Sequence, residues 1–134
     1  VGEVLRRLGS RPAHVVHSSL RLDEATPGGV THVYAVEPDQ ARSFDLGPEQ
    51  HGLPPSTPAD LTGGTALDNA HHIQRMLEGE RGPRTDAALL NAALTIQAAD
   101  ARVPLADALA RARESIASGR AFAVLKNLRA ASHA

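Results

Sequence analysis

Apolar residues recur every three or four positions through the second half of the chain, the period of one face of an α-helix. Four such stripes follow one another: Leu67, Ala70, Ile73 and Leu77; Leu89, Ala92, Ala93, Ile96 and Ala99; Leu105, Ala108, Leu109, Ala112 and Ile116; and Val124, Leu125 and Leu128. Gly79 and Gly119 follow the first and third stripes and are predicted to end those helices. The pattern predicts four successive helices, and we expect the last, from about Arg120, to bury its three apolar residues.

The first half of the chain predicts strands instead. Residues 13–17 form a β-branched run that predicts a buried strand, and residues 30–36 and 42–46 predict an antiparallel hairpin with its turn at residues 37–40. Residues 1–8 have helical spacing and precede Gly9, which predicts a short helix.

These elements predict an α/β or α+β layer, of which we expect the α/β class, in which one short strand and a β-hairpin are followed by four helices. A sheet this thin leaves unpaired edges, which folded proteins normally cover or extend. We therefore expect further strands, outside this sequence, to belong to the same sheet. In the connector at residues 47–62, Thr57-Pro58-Ala59-Asp60 predicts a helix start with a hydroxyl N-cap.

Composition narrows the classes of protein to which the chain can belong. Hydrophobic residues make up 42% of the 134 residues, and the only aromatic ones are Phe44, Phe122 and Tyr34, so the core must be aliphatic. The net charge of -1 argues against a nucleic-acid partner, because such binders usually carry a basic stripe. The absence of cysteine excludes disulfides and thiolate metal sites and suits a cytoplasmic location. No apolar run approaches the roughly 20 residues that span a bilayer, so no membrane partner is expected.

Asp23 and Glu24 form the one group of residues with a clear catalytic meaning. They follow the predicted strand, in the kind of loop where α/β proteins usually place ligand-binding groups. Adjacent carboxylates that point the same way suit Mg²⁺, which often takes one or two carboxylates plus waters and substrate phosphates. The alternative is a solvated pair of loop acids or the start of a helical turn, since adjacent acids are common in loops.

The histidines invite a metal or acid–base hypothesis, but their spacing favours structural roles. His71 and His72 are adjacent on a predicted helix and point about 100° apart, so they cannot chelate one ion as residues i and i+4 can. His14 and His17 lie three residues apart on a predicted strand and face opposite sides. We expect these four and His32 to be structural.

Three further motifs lie at or within the predicted helices. Gly63-Gly64-Thr65 could offer N–H groups to an anion, but a helix entry with Thr62 or Thr65 as N-cap is favoured. Asn91 is expected to pack or to hydrogen-bond between helices. Arg84 is expected to form a local ion pair with Asp86 at a helix start.

A series of short segments carries a family resemblance. They are Ala13-His14-Val15-Val16-His17, Leu22-Asp23-Glu24, Thr26-Pro27-Gly28-Gly29, Pro48-Glu49-Gln50-His51-Gly52-Leu53, Leu61-Thr62-Gly63-Gly64-Thr65-Ala66 with Asn69-Ala70, Leu77-Glu78-Gly79, Gly82-Pro83-Arg84, Asp86-Ala87-Ala88-Leu89-Leu90-Asn91-Ala92-Ala93, Leu105-Ala106-Asp107-Ala108 and Ala117-Ser118-Gly119-Arg120-Ala121. In this order they resemble the C-terminal half of anthranilate phosphoribosyltransferases, and the resemblance covers essentially the whole chain.

The resemblance implies a function and a domain organisation. The family transfers phosphoribosyl from phosphoribosyl pyrophosphate to anthranilate in tryptophan biosynthesis, in a cleft between a small helical domain and a large α/β domain. Residues 1–134 would be the C-terminal segment of the α/β domain, inactive without the N-terminal half that carries the helical domain and the phosphate-binding glycine motifs. The chain itself is assigned no catalytic residue, and its substrate-binding residues stay unassigned. The family suggests a homodimer whose contacts lie mainly in the helical domain.

For the site, the resemblance implies that Asp23 and Glu24 hold Mg²⁺ at the pyrophosphate. The stretch Ser18-Ser19-Leu20-Arg21 departs from the family, which has a glycine after the strand-end histidine and an Asp-Gly-like pair before Leu-Asp-Glu. Losing glycines there restricts the loop backbone and bears on where the two acids point. Two alternatives stay open: a non-catalytic homologue or fragment that acts as a binding or assembly module, and a related phosphoribosyl-using or nucleoside phosphorylase enzyme of the same fold.

Overall fold

The computed structural model describes residues 1–10, 12–37 and 40–132. Its elements, in chain order, are α1 (Gly2–Arg7), β1 (Ala13–Ser18), β2 (Thr31–Val36), β3 (Ala41–Leu46), α2 (Pro48–His51), α3 (Pro58–Leu61), α4 (Ala66–Leu77), α5 (Pro83–Ala99), α6 (Leu105–Ala117) and α7 (Arg120–Ser132). The expected α/β class and the order of its main elements are confirmed, with α2 and α3 as short helices in the connector. No helix within these ranges is long and apolar enough to cross a lipid bilayer.

The three strands form one antiparallel sheet in the order β1-β2-β3. The register places Val33 of β2 opposite Val16 on one side and Phe44 on the other. The predicted hairpin is confirmed, and residues 38 and 39 of its predicted turn lie outside the described residues. Because β1 and β3 are the outer strands, each keeps one edge without a partner strand in the part of the chain that is described.

Helices pack on both faces of this sheet. On one face, α1 lies so close to β2 that a Cβ on Gly2 would be 2.1 Å from the ring of Tyr34, and only glycine fits there. On the other face, α5 packs against β1 and α6 packs against α5. The buried cluster lies between these helices and the sheet and is aliphatic, as predicted: Ala25, Leu46, Leu53, Leu89, Leu90, Ala93, Leu94, Val103, Ala108, Leu109 and Ala112.

Side-chain caps start two of the helices. Thr57 caps α3 and Thr65 caps α4, each hydroxyl accepting the backbone N–H of the aspartate three residues later. Those aspartates, Asp60 and Asp68, in turn accept the N–H groups of the threonines at 2.8 and 3.0 Å. The predicted N-caps are therefore confirmed, because each motif satisfies N–H groups that the first helical turn leaves unpaired.

The ion pair expected between Arg84 and Asp86 is wrong. The Arg84 guanidinium instead donates to the carbonyl oxygen of Thr62, at the end of α3. The reason is geometric, since residues two apart on a helix do not face each other.

One expectation about buried residues also needs correction, and the apolar stripe of α5 is buried only in part. In α5, Leu90 and Leu94 are buried, whereas Ala92 and Ala99 of the predicted stripe are exposed. In α7, Val124 and Leu128 are 66% and 63% exposed, so the last helix does not bury them, and Leu125 is only partly covered.

The same exposure marks α4, whose stripe is open at Leu67 and Ile73. Helices α4 and α7 contact each other at the margin of the fold, and α7 also contacts α6. Hydrophobic periodicity identifies an amphipathic face but not whether another layer covers it.

Candidate functional site

Asp23 and Glu24 lie in the short segment that follows β1, residues 19–25, which we call the acidic loop. Both side chains are exposed, and they stand between half-buried Leu22 and fully buried Ala25. Neither carboxylate has a hydrogen bond or an ion pair within the described residues. Their oxygens are therefore accessible to a cation from solvent.

The acidic loop is closed at its base by Ser18. The Ser18 N–H donates to the carbonyl of Leu22 at 3.0 Å, and its carbonyl accepts the N–H of Arg21 at 2.9 Å. The Ser18 hydroxyl lies 2.8 Å from Oγ1 of Thr26 and accepts the N–H of Leu20 at 3.2 Å. Ser18 and Thr26 are both 0% exposed, so the two ends of the loop are joined by a contact that water does not reach.

Arg21 adopts a left-handed backbone conformation, with φ of 62°. It is the one non-glycine residue at positive φ in the described part of the chain, and it occupies the stretch where the resembled family has an Asp-Gly-like pair. A side chain in this conformation is strained by about 1–2 kcal/mol. The loop therefore keeps a glycine-like turn at Arg21, and the bonds of Ser18 hold it there.

Asn91 of α5 ties the other end of the acidic loop to the core. Its Oδ1 accepts the N–H of Ala25 at 3.0 Å, and its Nδ2 donates to the carbonyl of Ala25 at 2.8 Å and to that of Ala87 at 2.9 Å. Of the two roles expected for Asn91, packing or a hydrogen bond between helices, the second is wrong, because its bonding partner outside α5 lies in a loop 66 residues away in sequence. A polar residue in the middle of a predicted apolar helix is the only sequence signal of this contact.

The residues present fit a hard cation such as Mg²⁺ in part. No cluster of three or more histidine, cysteine or acidic side chains suited to a metal exists within the described ranges, so the acidic loop offers two carboxylates at most. Mg²⁺ is usually bound by one or two carboxylates, with waters and substrate phosphates completing its octahedron. Two unpaired carboxylates on a loop that is fixed at both ends match that kind of site.

The histidines of the sheet contact one another and other side chains of the sheet, and none of these contacts is with Asp23 or Glu24. His17 stacks on His32 with ring centroids 6.5 Å apart, and Nδ1 of His32 lies 2.7 Å from Asp45. His14 packs edge-on to Phe44, and burial lowers the pKa of its imidazole. The predicted opposite facing of His14 and His17 agrees with the sheet register, since residues three apart on a strand alternate.

Asp86 and Arg113 line a groove of about 740 Å³. The groove lies between helix α6 and the turns at residues 52–55 and 79–83. Burial raises the pKa of Asp86, while the charges of Arg113 and His51 act in the opposite direction. Burial lowers the pKa of His51, whose Nδ1 accepts the N–H of Leu53 at 3.1 Å. The acidic loop does not line this groove, so its charged groups are separate from the candidate metal site.

Comparison with known proteins decides the family. Residues 1–122 match the family described as "Glycosyl transferase family, a/b domain". The chain belongs to this family. Among glycosyl transferase relatives, anthranilate phosphoribosyltransferase of Moorella thermoacetica is 47% identical over 126 residues, which are 94% of this chain and 37% of that protein. The enzyme of the same name from a Bradyrhizobium strain is 44% identical and is matched over 99% of this chain and 40% of its own length.

Solved structures of the same name have the same fold. The structure of anthranilate phosphoribosyltransferase from Thermus thermophilus matches this chain with a TM-score of 0.82 at 35% identity. The match covers 94% of this chain and 37% of the Thermus thermophilus chain. A Saccharomyces cerevisiae structure described as a complex with PRPP and Mg has a TM-score of 0.78 at 26% identity, over 86% of this chain and 33% of its own. The predicted family resemblance is confirmed, and the chain spans about two-fifths of the length of the curated relatives it matches.

Proposed function

We propose that the chain is the C-terminal segment of the α/β domain of an anthranilate phosphoribosyltransferase, a cytoplasmic enzyme of tryptophan biosynthesis. The intact enzyme would transfer phosphoribosyl from phosphoribosyl pyrophosphate to the amino group of anthranilate. The observation that carries the proposal is the acidic loop, with two unpaired carboxylates on a backbone fixed by Ser18 and Asn91. Similarity to enzymes of this name along nearly the whole chain supports it.

In this proposal Asp23 and Glu24 are the Mg²⁺ ligands that the chain provides. Mg²⁺, when bound, supplies positive charge that neutralises the pyrophosphate as negative charge builds on it. Ser18 and Asn91 hold the backbone of the loop, so that the stretch of chain that carries both carboxylates is already in place before the substrate arrives. Such preorganisation lowers the barrier because little reorganisation remains in the transition state.

The chain alone is expected to be inactive. The partner that completes it would be the N-terminal half, which in the proposal brings the helical domain, the glycine motifs that bind phosphate and the contacts of a homodimer. Among the described residues, β1 and β3 each have one edge without a partner strand, and α4 and α7 expose apolar side chains. Both features support a sheet and a helix layer that continue in the N-terminal half.

A chimera tests this function. The chain would replace the matching segment of the Thermus thermophilus enzyme, and turnover would be followed as loss of anthranilate fluorescence with phosphoribosyl pyrophosphate. We expect turnover that depends on Mg²⁺ and that stops with a chelator. Replacing Asp23→Asn with Glu24→Gln should lower kcat by about 100-fold or more and leave the fold intact.

The matched control removes the same charge elsewhere. Asp107→Asn with Glu114→Gln alters two exposed acids of α6 and should leave turnover near that of the unmodified chimera. Near-normal turnover in the Asp23/Glu24 double variant would refute the metal assignment. A well-folded chimera with no turnover at all would instead favour the second candidate, a binding or assembly module, which the exposed apolar faces of α4 and α7 also suit.

A further inference from the structure

We infer that Asn91 is a positioning residue, which fixes the stretch of backbone that presents the Asp23 and Glu24 side chains by holding the peptide groups of Ala25. The inference rests on the proposed function, because it assigns a role to Asn91 in the same metal site. Asn91 does not itself reach the cation in this inference. It acts through the backbone of the residue that follows Glu24.

The contact is a two-point attachment. Oδ1 of Asn91 accepts the N–H of Ala25, and Nδ2 donates to the carbonyl oxygen of the same residue. One hydrogen bond would leave the peptide free to rotate about it, whereas two bonds to both polar groups of one residue fix its orientation. The third bond, from Nδ2 to the carbonyl of Ala87, holds the amide plane against its own helix.

Burial makes the attachment necessary. Ala25 is 0% exposed, so without Asn91 its N–H and carbonyl would have neither a protein partner from α5 nor water. Asparagine is also a poor helix former, and at this point of α5 it is flanked by buried Leu90 and by Ala93 and Leu94 of the core. The stabilisation it provides therefore comes from the loop and not from the helix.

The attachment reaches the acids because Glu24 is bonded directly to Ala25. From the other side, Ser18 holds Leu22 through its N–H, which leaves Asp23 and Glu24 as the only residues between two fixed points. With Asn91 removed, this end of the loop would be held only by the hydroxyl contact of Thr26 with Ser18, and the backbone of Ala25 itself would lose its attachment. The carboxylates would then sample more positions than in the unmodified chain, and a cation that needs both would be bound less tightly.

A merely structural role would change stability without changing the affinity for a cation. The test therefore measures both the motion of the loop and metal binding, in the 134-residue chain, at a temperature where all variants are folded. The probe is Mn²⁺ alone, added at low concentration while amide resonances are followed by NMR. Mn²⁺ broadens resonances close to its site, so even weak binding is mapped to residues.

The variants are Asn91→Ala and, as a matched control, Gln97→Ala. Gln97 lies on the same helix and its Nε2 also donates to a backbone carbonyl, that of Val103 at 2.9 Å, but this bond holds the turn before α6. We expect Asn91→Ala to speed amide hydrogen exchange at Ala25 by about tenfold, the equivalent of about 1.4 kcal/mol. The Mn²⁺ affinity at residues 22–25 should fall by about tenfold. The control should change neither value.

The outcomes separate this inference from the proposed function. No Mn²⁺ broadening at residues 22–25 of the unmodified chain would refute the proposed metal site itself. Broadening that is equally strong in the unmodified chain and in Asn91→Ala would keep the metal site and overturn the role of Asn91. An equal loss of Mn²⁺ affinity in Gln97→Ala would also overturn it, because the effect would then not depend on the contact with Ala25.

Discussion

Ser18 and Thr26 meet through their hydroxyl groups at the base of the acidic loop, 2.8 Å apart and both 0% exposed. Replacing one of them removes half of a buried hydrogen bond: Ser18→Ala leaves the Thr26 hydroxyl without this partner, and Thr26→Val leaves the Ser18 hydroxyl with only the Leu20 N–H. Ser18→Ala and Thr26→Val are suitable changes, because each removes an oxygen and adds no bulk. Ser18→Ala also takes away the acceptor of the Leu20 N–H.

The magnitude follows from the cost of a buried polar group with no partner, about 1–3 kcal/mol. We expect each single change to lower the free energy of unfolding by about 2 kcal/mol. The double variant leaves neither hydroxyl behind, so its loss should be well below the sum of the two single losses. The difference, the coupling free energy of the pair, should be about 1–2 kcal/mol.

The free energy of unfolding is measured for four proteins, the unmodified chain, the two single variants and the double variant, by urea denaturation followed through the circular dichroism of the helices. The dependence of the unfolding free energy on urea should be the same in each, since the surface exposed on unfolding hardly changes. Losses that add to within about 0.5 kcal/mol would mean that the two hydroxyls do not interact, and the description of the loop base would be wrong.

Three further changes test other parts of the fold, each by urea denaturation. Gly28→Ala should destabilise the chain by about 1–3 kcal/mol, because its Cβ would lie 1.5 Å from the carbonyl oxygen of Ser56; an unchanged midpoint would contradict that close approach. Leu90→Ala, at a position 0% exposed, should cost about 2–5 kcal/mol, whereas Leu128→Gln, on an exposed face, should cost under about 0.5 kcal/mol; similar costs would show that α7 is covered. Burial lowers the pKa of His51 below 6.5, so the unfolded chain binds a proton at this residue more readily than the folded chain does. The free energy of unfolding should therefore decrease as the pH drops through 6.5. This decrease should be smaller in His51→Asn, and an equal pH dependence in both proteins would exclude His51 as a cause.

The sequence by itself determined the features that depend on neighbours along the chain. Thr57 and Thr65 cap helices because an aspartate follows each by three residues, and the hairpin closes because its two strands are adjacent. Helical periods gave the positions of α4 to α7, and the ordered motifs gave the family and the acidic pair. All of these are local patterns, which residue spacing and backbone geometry are sufficient to specify.

Tertiary structure decided which of those patterns meet. The pairing of β1 with β2, the burial of Leu90 and the exposure of Leu128 depend on which layers cover each element. The attachment of Asn91 to Ala25 joins groups 66 residues apart, and nothing in the local sequence of either end specifies the other. The sequence therefore identified the two acids, and the folded chain alone determined how their loop is held, because hydrogen bonds between distant segments form only once both are packed in place.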